Sequence, residues 1–168
     1  MKKIKYFSVS LAVVAADQLS KFFIVKNIPE YSSGWSCCGD FFRLVHVRNL
    51  GVAFSIGNGS SDFIRVLFMV ILPFFVLAAL GFYIIKGKKV PVAQRWILSV
   101  ILGGGFGNLI DRVFRKDGVV DFLDFKFYGL FGLERWPTFN IADASLVVSS
   151  VILVILLIQN ELRLKKYE

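Results

Sequence analysis

"FNIADASLVVSSVILVILLIQ", residues 139–159, consists mostly of apolar residues that suit a lipid bilayer, but Asp143 lies near its start. No charged residue follows Asp143 in this stretch, and a membrane span needs about 20 predominantly apolar residues, so we place a transmembrane helix at 141–158. An ionised aspartate inside a bilayer costs about 2.5–3.5 kcal/mol on insertion scales. Asp143 is therefore expected either to lie at the water boundary or to have a chemical role.

Three further stretches have the same apolar character, at residues 6–25, 63–85 and 96–114. The chain has 168 residues, of which 56% are hydrophobic, against about 45–50% in ordinary soluble domains. Helices satisfy their own backbone hydrogen bonds in lipid. The sequence therefore predicts a single polytopic membrane domain over residues 1–168, an all-α bundle of four transmembrane helices.

The distribution of charge predicts the orientation of the bundle. If both termini and the loop after the second span are cytoplasmic, that side holds ten of the 20 basic residues and two of the 12 acids. The whole formal excess of +8 then lies on the cytoplasmic side, as the positive-inside rule requires. The basic balance thus indicates topology and not nucleic-acid binding. The opening "MKKIKYFSVSLAVVAAD" also resembles a secretory signal, but the apolar run resumes with "FFIV", so we expect it to remain as the first span.

The segments outside the spans carry two different patterns. "DFFRLVHVRNLGVAFS" alternates apolar and polar residues, which favours a small extracytoplasmic β element at about 38–57. Residues 115–138 are dense in aromatics and are expected to form an interfacial segment between helices three and four. Cys37 and Cys38 are adjacent and are interpreted as loop thiols. No spacing of cysteines and histidines suggests a metal site.

Polar side chains gather near the extracytoplasmic ends of spans three and four. Residues three and four apart on a helix share a face, and a short extended connector brings a further acid close to them. We therefore predict one pocket that holds several carboxylates and carboxamides. Its candidate members are Asn108, Asp111 and Arg112 in "GNLIDR", Asp121 and Asp124 in the connector "GVVDFLDF", and Asn140 and Asp143 in "FNIAD".

Each of these features has a structural alternative. For Asp111 and Arg112 it is an ion pair that only anchors a helix end, and for Asp143 it is a cap in the first turn of its helix. Asp121 and Asp124 have the alternative of ordinary loop acids. In the first span, Asp17 and Lys21 share a helical face. They are expected either to form a buried structural pair or to contact lipid head groups. Close helix packing is favoured for the small-residue cluster Gly103, Gly104, Gly105 and Gly107.

A pair of aspartates is the remaining candidate for chemistry, because the sequence contains neither GxSxG nor HExxH. Two neighbouring carboxylates share one proton, so one activates water while the other polarises a carbonyl, with no cofactor and no metal. Two other classes of function stay open. One is a small proton-coupled transporter that uses its membrane acids as a relay, although no inverted repeat is visible. The other is a non-catalytic assembly factor.

Five motifs in order resemble the bacterial lipoprotein signal peptidase (signal peptidase II) family over nearly the whole chain. They are "DQLSK" (17–21), "NLGVAFS" (49–55), "GGGFGNLIDR" (103–112), "GVVDF" (118–122) and "FNIAD" (139–143). The resemblance implies an aspartic endopeptidase of the bacterial inner membrane that cuts diacylglyceryl-modified prolipoproteins before the lipidated cysteine. Its partners would be those substrates and membrane lipids, not nucleic acid, and we expect a monomer with its active site near the extracytoplasmic face.

The resemblance also assigns roles to residues. It makes Asp121 and Asp143 the catalytic pair, and Val52, where the family commonly has alanine, is a small departure. The choice of Asp121 over Asp124 or Asp111 rests on the resemblance alone. The positions that it implies for substrate binding or support are Asn49, Asn108, Asp111, Arg112 and Asn140, while Asp17 and Lys21 match the first-helix motif.

Overall fold

The computed structural model describes residues 3–50, 62–115 and 117–165. After a 3₁₀ turn (Ile4–Tyr6), helix α1 covers Phe7–Asn27, and α2 (Asp62–Val66) continues through a π-helical turn (Leu67–Ile71) into α3 (Leu72–Lys86). Helices α4 (Val92–Phe114) and α5 (Ile141–Lys165) follow. Among these described residues, four helical stretches are long and apolar enough to cross a membrane: Ile4–Asn27, Phe63–Lys86, Val92–Phe114 and Ile141–Arg163. The predicted bundle of four apolar helices is confirmed.

The π-helical turn in the second span has a local cause in Pro73. Proline has no backbone N–H to donate to the carbonyl four residues earlier, and its ring crowds that carbonyl. The helix widens just before the proline, and the N–H of Leu72 donates to the carbonyl of Leu67, five residues back. Single π-helical turns of this kind occur frequently at functional sites.

Three antiparallel strands form a sheet in the order β1 (Ser33–Cys37), β2 (Phe42–Asn49) and β3 (Val119–Phe125). The predicted β element is thus correct in kind but wrong in extent, because it begins at Ser33 and takes its third strand from the connector between α4 and α5. Pairing of β2 with a strand about 75 residues later is a long-range contact that local alternation does not reveal. The part of the prediction that covers residues 51–57 lies outside the described residues.

The segment between α4 and α5 was expected to be interfacial over its whole length, and the structure shows this for only part of it. Its first part is β3, so it belongs to the sheet. Only the remainder, with a 3₁₀ turn at Leu130–Gly132, carries the exposed aromatic side chains that suit a membrane surface. These are Tyr128, Phe131 and Trp136.

Helix α4 lies at the centre of the bundle and contacts α1, α3 and α5. A Cβ atom at Gly103 would lie 2.7 Å from the carbonyl oxygen of Ser10 in α1, and one at Gly104 would lie 2.7 Å from the carbonyl oxygen of Ala142 in α5. Small residues let membrane helices approach this closely. The interpretation of the glycine cluster as a packing surface is confirmed.

In the part of the chain that the structure describes, buried apolar side chains form two clusters. The larger one lies between α1, α3 and α4 and includes Leu77, Ile84 and Leu102. The smaller one joins the end of α1 to β3 through Ile24, Ile28, Val120 and Phe122. Because Val120 and Phe122 flank Asp121, this second cluster fixes the strand that carries Asp121 against the end of the bundle.

Candidate active site

Strand β3 brings Asp121 to the end of the helix bundle. Gly118, just before the strand, has a φ of +91°, and a Cβ there would lie 2.6 Å from the carbonyl oxygen of Asn49. Only glycine fits both the left-handed backbone and the close approach of β2. The carboxyl of Asp121 is 2% exposed. It accepts hydrogen bonds from the side-chain amides of Asn49 (2.9 Å) and Asn140 (2.7 Å).

Asp143 lies in the first turn of α5 and completes a capping box with Asn140. The side-chain oxygen of Asn140 accepts the N–H of Asp143 at 2.9 Å, and the Asp143 carboxylate accepts the N–H of Asn140 at 3.2 Å. This reciprocal pattern satisfies N–H groups that a helix start would leave unpaired. The capping alternative is therefore correct as geometry. Capping is not the only interaction of the Asp143 carboxylate, because it also accepts a 2.6 Å hydrogen bond from the side-chain amide of Asn108.

Two carboxamides connect the two aspartates. The amide of Asn140 donates to Asp121 (2.7 Å) and to the side-chain oxygen of Asn108 (3.0 Å), while Asn108 donates to Asp143. Asn140 is fully buried and Asn108 is 5% exposed. A connector strand, a helix end and a helix start thus place two carboxyl groups in one hydrogen-bonded cluster.

Burial is the main reason why the pKa of Asp121 is raised, to about 6. The negative charge of Asp143 raises it further, whereas the hydrogen bonds from Asn49 and Asn140 oppose the shift. Asp121 therefore holds a proton at a pH where an exposed aspartate does not.

A second buried cluster lies beside the first and centres on Lys21. Its ammonium group contacts Asp17 at 2.7 Å and Asp111 at 2.9 Å, and all three side chains have no exposed surface. Arg115 also pairs with Asp111, at 3.0 Å, so two cations balance two anions. We call Asp17, Lys21 and Asp111 the buried triad. Its burial agrees with the structural interpretation of Asp17 and Lys21 and leaves neither open to lipid head groups.

The buried triad reaches the backbone next to each aspartate of the pair. Asp17 accepts the N–H of Ala142 at 3.0 Å, and Asp111 accepts the N–H of Val120 at 3.2 Å. Ala142 immediately precedes Asp143, and Val120 immediately precedes Asp121. Lys21 in addition donates to the oxygen of Asn108 at 3.2 Å. The triad thus joins the first span to both segments that carry the pair.

The alternative of an Asp111–Arg112 ion pair is wrong. Asp111 pairs with Lys21 and Arg115, while Arg112 is half-buried and lines a pocket that borders Asn49 and Gly118. The reason is helical geometry, because side chains at i and i+4 share a face and neighbours at i and i+1 do not. The i, i+4 spacing of Asp111 and Arg115 is the feature of the sequence that indicates their pairing. Arg115 lies outside all five motifs and was not among the predicted site residues.

Asp124 is engaged elsewhere. Three residues apart on a strand, Asp121 and Asp124 point to opposite faces of the sheet. The Asp124 carboxylate lies between Arg43 (2.6 Å) and Arg135 (2.7 Å). These two ion pairs are structural, because they connect the segment after β3, which carries Arg135, to β2, which carries Arg43.

A cavity of about 320 Å³ opens onto Asp121 between β2 and the segment before α5. Its walls include Val47, Leu50, Pro137 and Thr138. In the parts of the chain that the structure describes, no three His, Cys, Asp or Glu side chains converge in a way that would hold a metal ion. The cavity can thus hold a polar backbone against the Asp121 carboxyl, beside the apolar side chains of Val47, Leu50 and Pro137.

Four apolar helices and a buried pair of amide-linked aspartates define the class of a membrane-embedded aspartic hydrolase. Comparison with known proteins identifies the family. A family model described as signal peptidase (SPase) II, of peptidase family A8, matches residues 9–159. The chain belongs to the signal peptidase II family and is an aspartic peptidase and a multi-pass membrane protein. This family membership excludes the alternative interpretations as a proton-coupled transporter or a non-catalytic assembly factor.

Individual relatives agree with the family model. The lipoprotein signal peptidase of Treponema pallidum (strain Nichols) is 44% identical over 160 residues, which cover 95% of this chain and 86% of the relative. That of Borreliella afzelii (strain PKo) is 42% identical over 158 residues, 92% of each chain.

Two solved structures share the fold. Both are described as a bacterial membrane enzyme structure by the in meso method, one at 2.3 Å and one at 1.9 Å resolution. Each aligns with a TM-score of 0.76, at 29% and 30% identity respectively. The first alignment covers 94% of this chain and 89% of the solved chain, and the second covers 91% and 92%. The arrangement of four helices and a small sheet is therefore that of a membrane enzyme.

Proposed function

We propose that this chain removes signal peptides from diacylglyceryl-modified prolipoproteins by cutting the bond before the lipidated cysteine, and that Asp121 and Asp143 are its catalytic residues. The relatives named as lipoprotein signal peptidases support the substrate. The single observation that carries the residue assignment is the hydrogen-bonded chain Asp121–Asn140–Asn108–Asp143.

The two carboxyl groups share one proton and titrate as a pair. Burial favours the proton on Asp121, which is 2% exposed, over the half-buried Asp143. Asp143, held by N–H donors from Asn108 and Asn140, is the base that takes a proton from water. The hydroxide formed attacks the scissile carbonyl carbon, and the neutral Asp121 donates a hydrogen bond to the carbonyl oxygen.

Collapse of the tetrahedral intermediate completes the reaction. The carbonyl re-forms as the C–N bond breaks, and the leaving amine takes the proton from Asp143. Asp121 keeps its own proton throughout, so the pair returns to its resting state with one shared proton, and the new carboxyl group of the product loses its proton to water. No covalent enzyme intermediate forms. Apolar walls around the cavity limit bulk water, which strengthens the electrostatic effect of the pair on the developing charge.

The other residues named by the motifs support the pair in different ways. Asn49, Asn108 and Asn140 donate hydrogen bonds to its carboxylates. Asp111 and the rest of the buried triad position the two backbone segments. Arg112 contacts neither carboxylate and belongs to the neighbouring pocket.

We further propose that the chain lies in the bacterial cytoplasmic membrane as a monomeric single domain, with both termini cytoplasmic and the carboxyl pair near the extracytoplasmic face. The positive-inside distribution of the basic residues supports this orientation. Cleavage before a lipidated cysteine suits such a depth, because acyl chains hold that cysteine near the outer leaflet.

Cleavage of a purified lipidated precursor in detergent tests the catalytic assignment. We expect Asp121→Asn and Asp143→Asn each to lower kcat by about 10³–10⁴-fold, since proton transfer by positioned groups contributes on this order. Both variants should remain folded, because asparagine keeps the shape of the side chain.

Asp124→Asn is the matched control, since Asp124 is a buried aspartate of the same strand on its other face. We expect this variant to be less stable, because Arg43 and Arg135 lose their partner, yet to cleave within about tenfold of the wild-type rate when folded. An inactive but folded Asp124→Asn beside an active Asp121→Asn would show the assignment to be wrong.

A further inference from the structure

The turn between β1 and β2 carries both cysteines of the chain. Cys37 ends β1 and is half-buried, whereas Cys38 begins the turn and is exposed, and both are free thiols. Cys37 pairs with Phe42, which lies several positions along β2 before Val47, the partner of Asp121. Neither cysteine lines the cleavage cavity. The pair is therefore a cluster of nucleophilic side chains that the proposed cleavage chemistry does not use.

The backbone of the turn brings the two thiols together. Successive residues of a strand point to opposite faces, which would keep the thiols of neighbouring cysteines apart. Cys38 instead leaves the strand with a φ of +54°, and Gly39 follows with a φ of +72°. Asparagine, aspartate and glycine usually take such left-handed positions, and cysteine does so uncommonly. The two thiols hydrogen-bond to each other, and burial together with this hydrogen bond raises the pKa of Cys37.

Contacts on both sides hold this turn in place. The strand pairing of Cys37 with Phe42 closes its base. Asp40, within the turn, accepts a hydrogen bond from the ammonium group of Lys126 at 3.1 Å, and its backbone carbonyl accepts one from Arg135 at 3.0 Å. Both cations belong to β3 or to the segment that follows it. The turn is therefore fixed to the sheet at both ends, and the two thiols stay neighbours.

Two sulfur atoms are all that this cluster offers to a ligand. In the described ranges of the chain, no further His, Cys, Asp or Glu joins the two cysteines in a set of three that could hold a metal ion. The Cα atoms of adjacent residues are only about 3.8 Å apart, whereas those of structural disulfides are usually about 4.4–6.8 Å apart. A disulfide between Cys37 and Cys38 would thus be strained, and strained or exposed disulfides are reduced easily. The geometry favours a bond that forms and breaks over a permanent cross-link.

We propose that Cys37 and Cys38 form a reversible exchange site that reacts with low-molecular-weight disulfides. The exposed Cys38 attacks the small disulfide as a thiolate, forms a mixed disulfide and releases the first small thiol. Cys37 then attacks the Cys38 sulfur, which closes the ring and releases the second small thiol. Two protein thiols are oxidised, one small disulfide is reduced, and the two protons end on the released thiols. Under the proposed orientation the turn lies on the extracytoplasmic side, where disulfides persist.

Intact-mass spectrometry of the purified chain in detergent tests the site. The reduced chain is incubated with oxidised glutathione, and remaining thiols are blocked with a maleimide, which labels only the reduced form. We expect a main product that has lost two hydrogen atoms and carries neither reagent. It should exceed the glutathione adduct about tenfold or more, because the second thiol acts intramolecularly at a high effective concentration. Since the chain has two cysteines, a monomer of this mass contains the Cys37–Cys38 ring. Dithiothreitol should restore both thiols.

Two variants complete the test. Cys37→Ser should gain one glutathione at Cys38 and form no ring, while it cleaves the lipidated precursor at the wild-type rate, which separates this site from the proposed cleavage chemistry. The matched control combines Cys37→Ser with Ser33→Cys and keeps two thiols, which the strand rise places about 16 Å apart. We expect it to gain two glutathiones. A wild type that ends mainly as a glutathione adduct or as a disulfide-linked dimer would overturn the proposal, as would ring formation in the matched control to the same extent as in the wild type.

Discussion

At the level of single residues, Asp143 has a structural task in addition to its proposed chemical one. It closes the capping box of α5, so the same hydrogen bonds that start the helix also fix the direction of the carboxylate. Asp121 has no such local anchor. Its position depends on two asparagines from other elements, Asn49 and Asn140, and its burial makes the charged form costly.

The raised pKa of Asp121 predicts an effect of pH on stability. The folded-state pKa of about 6 lies above the ordinary value near 3.8, so the native state binds more protons than the unfolded state between these values. Stability that the wild type has at low pH is therefore lost as the pH rises to about 6. We expect Asp121→Asn, which cannot ionise, to gain stability relative to wild type across this window, by about 1–3 kcal/mol. Thermal unfolding in detergent from pH 4 to pH 7 measures it.

Asp40→Asn is a control with the opposite sign. The hydrogen bond and the charge of Lys126, together with Arg135, lower the pKa of the half-buried Asp40 carboxyl. Its stabilising contribution is present above the ordinary pKa of aspartate and is lost as the pH falls through the lowered value. Asp40→Asn should therefore lose stability relative to wild type as the pH rises. Parallel pH curves for wild type and Asp121→Asn would contradict the raised pKa of Asp121.

At the level of elements, the buried triad joins the first span to the third span, the sheet and the fourth span. Lys21 and Asp17 come from α1 and Asp111 from α4, while the backbone groups that they hold belong to β3 and α5. Four elements thus depend on one ammonium group. The glycines of α4 make this possible, because a Cβ at Gly107 would lie 2.8 Å from the Asp17 carboxylate.

Lys21→Met tests this connection. Removing one partner of a buried ionic group costs about 3–5 kcal/mol, because uncompensated charge remains. We expect a loss of stability of that size and a fall in kcat of about 10²-fold with little change in KM, since misplacement of catalytic groups by about 1 Å has such an effect. Unfolding and precursor cleavage in detergent measure the two.

Lys26→Met on the same helix is the matched control, and its exposed side chain predicts no change in either quantity. If Lys21→Met does not fold, Asp17→Asn is the second variant, because its amide oxygen still accepts the N–H of Ala142 while its charge is lost. A folded Lys21→Met or Asp17→Asn with wild-type kcat would contradict the positioning role.

At the level of the whole molecule, the sheet and the ends of α1, α4 and α5 form one assembly, and the orientation of the bundle decides which side of the membrane receives it. The proposed orientation predicts that a membrane-impermeant maleimide labels the exposed Cys38 on intact spheroplasts. Lys88→Cys in a chain with Cys37→Ser and Cys38→Ser should label only after permeabilisation, since Lys88 lies between α3 and α4. The reverse pattern would contradict the orientation.

Much of this architecture follows from local patterns. Spans of apolar residues predict helices because lipid leaves the backbone no other partner, and the predicted spans agree with the helices to within a few residues at most ends. Helical spacing grouped Asn108 with Asp111 and Asn140 with Asp143. The same spacing grouped Arg112 with Asn108, but the Asp111–Arg112 ion pair does not form, because Asp111 pairs with Lys21 and Arg115.

The sequence by itself determined the four helices, their apolar surfaces, the glycine packing face and the identity of the acidic residues near one end of the bundle. Only the tertiary structure decided that β3 pairs with β2, that Asp124 is occupied by two arginines, and that Lys21 supports both segments of the carboxyl pair. The physical reason is distance along the chain. Periodicity and capping act over a few residues, whereas strand pairing and buried ion pairs join groups up to about 90 residues apart, and only packing brings these together.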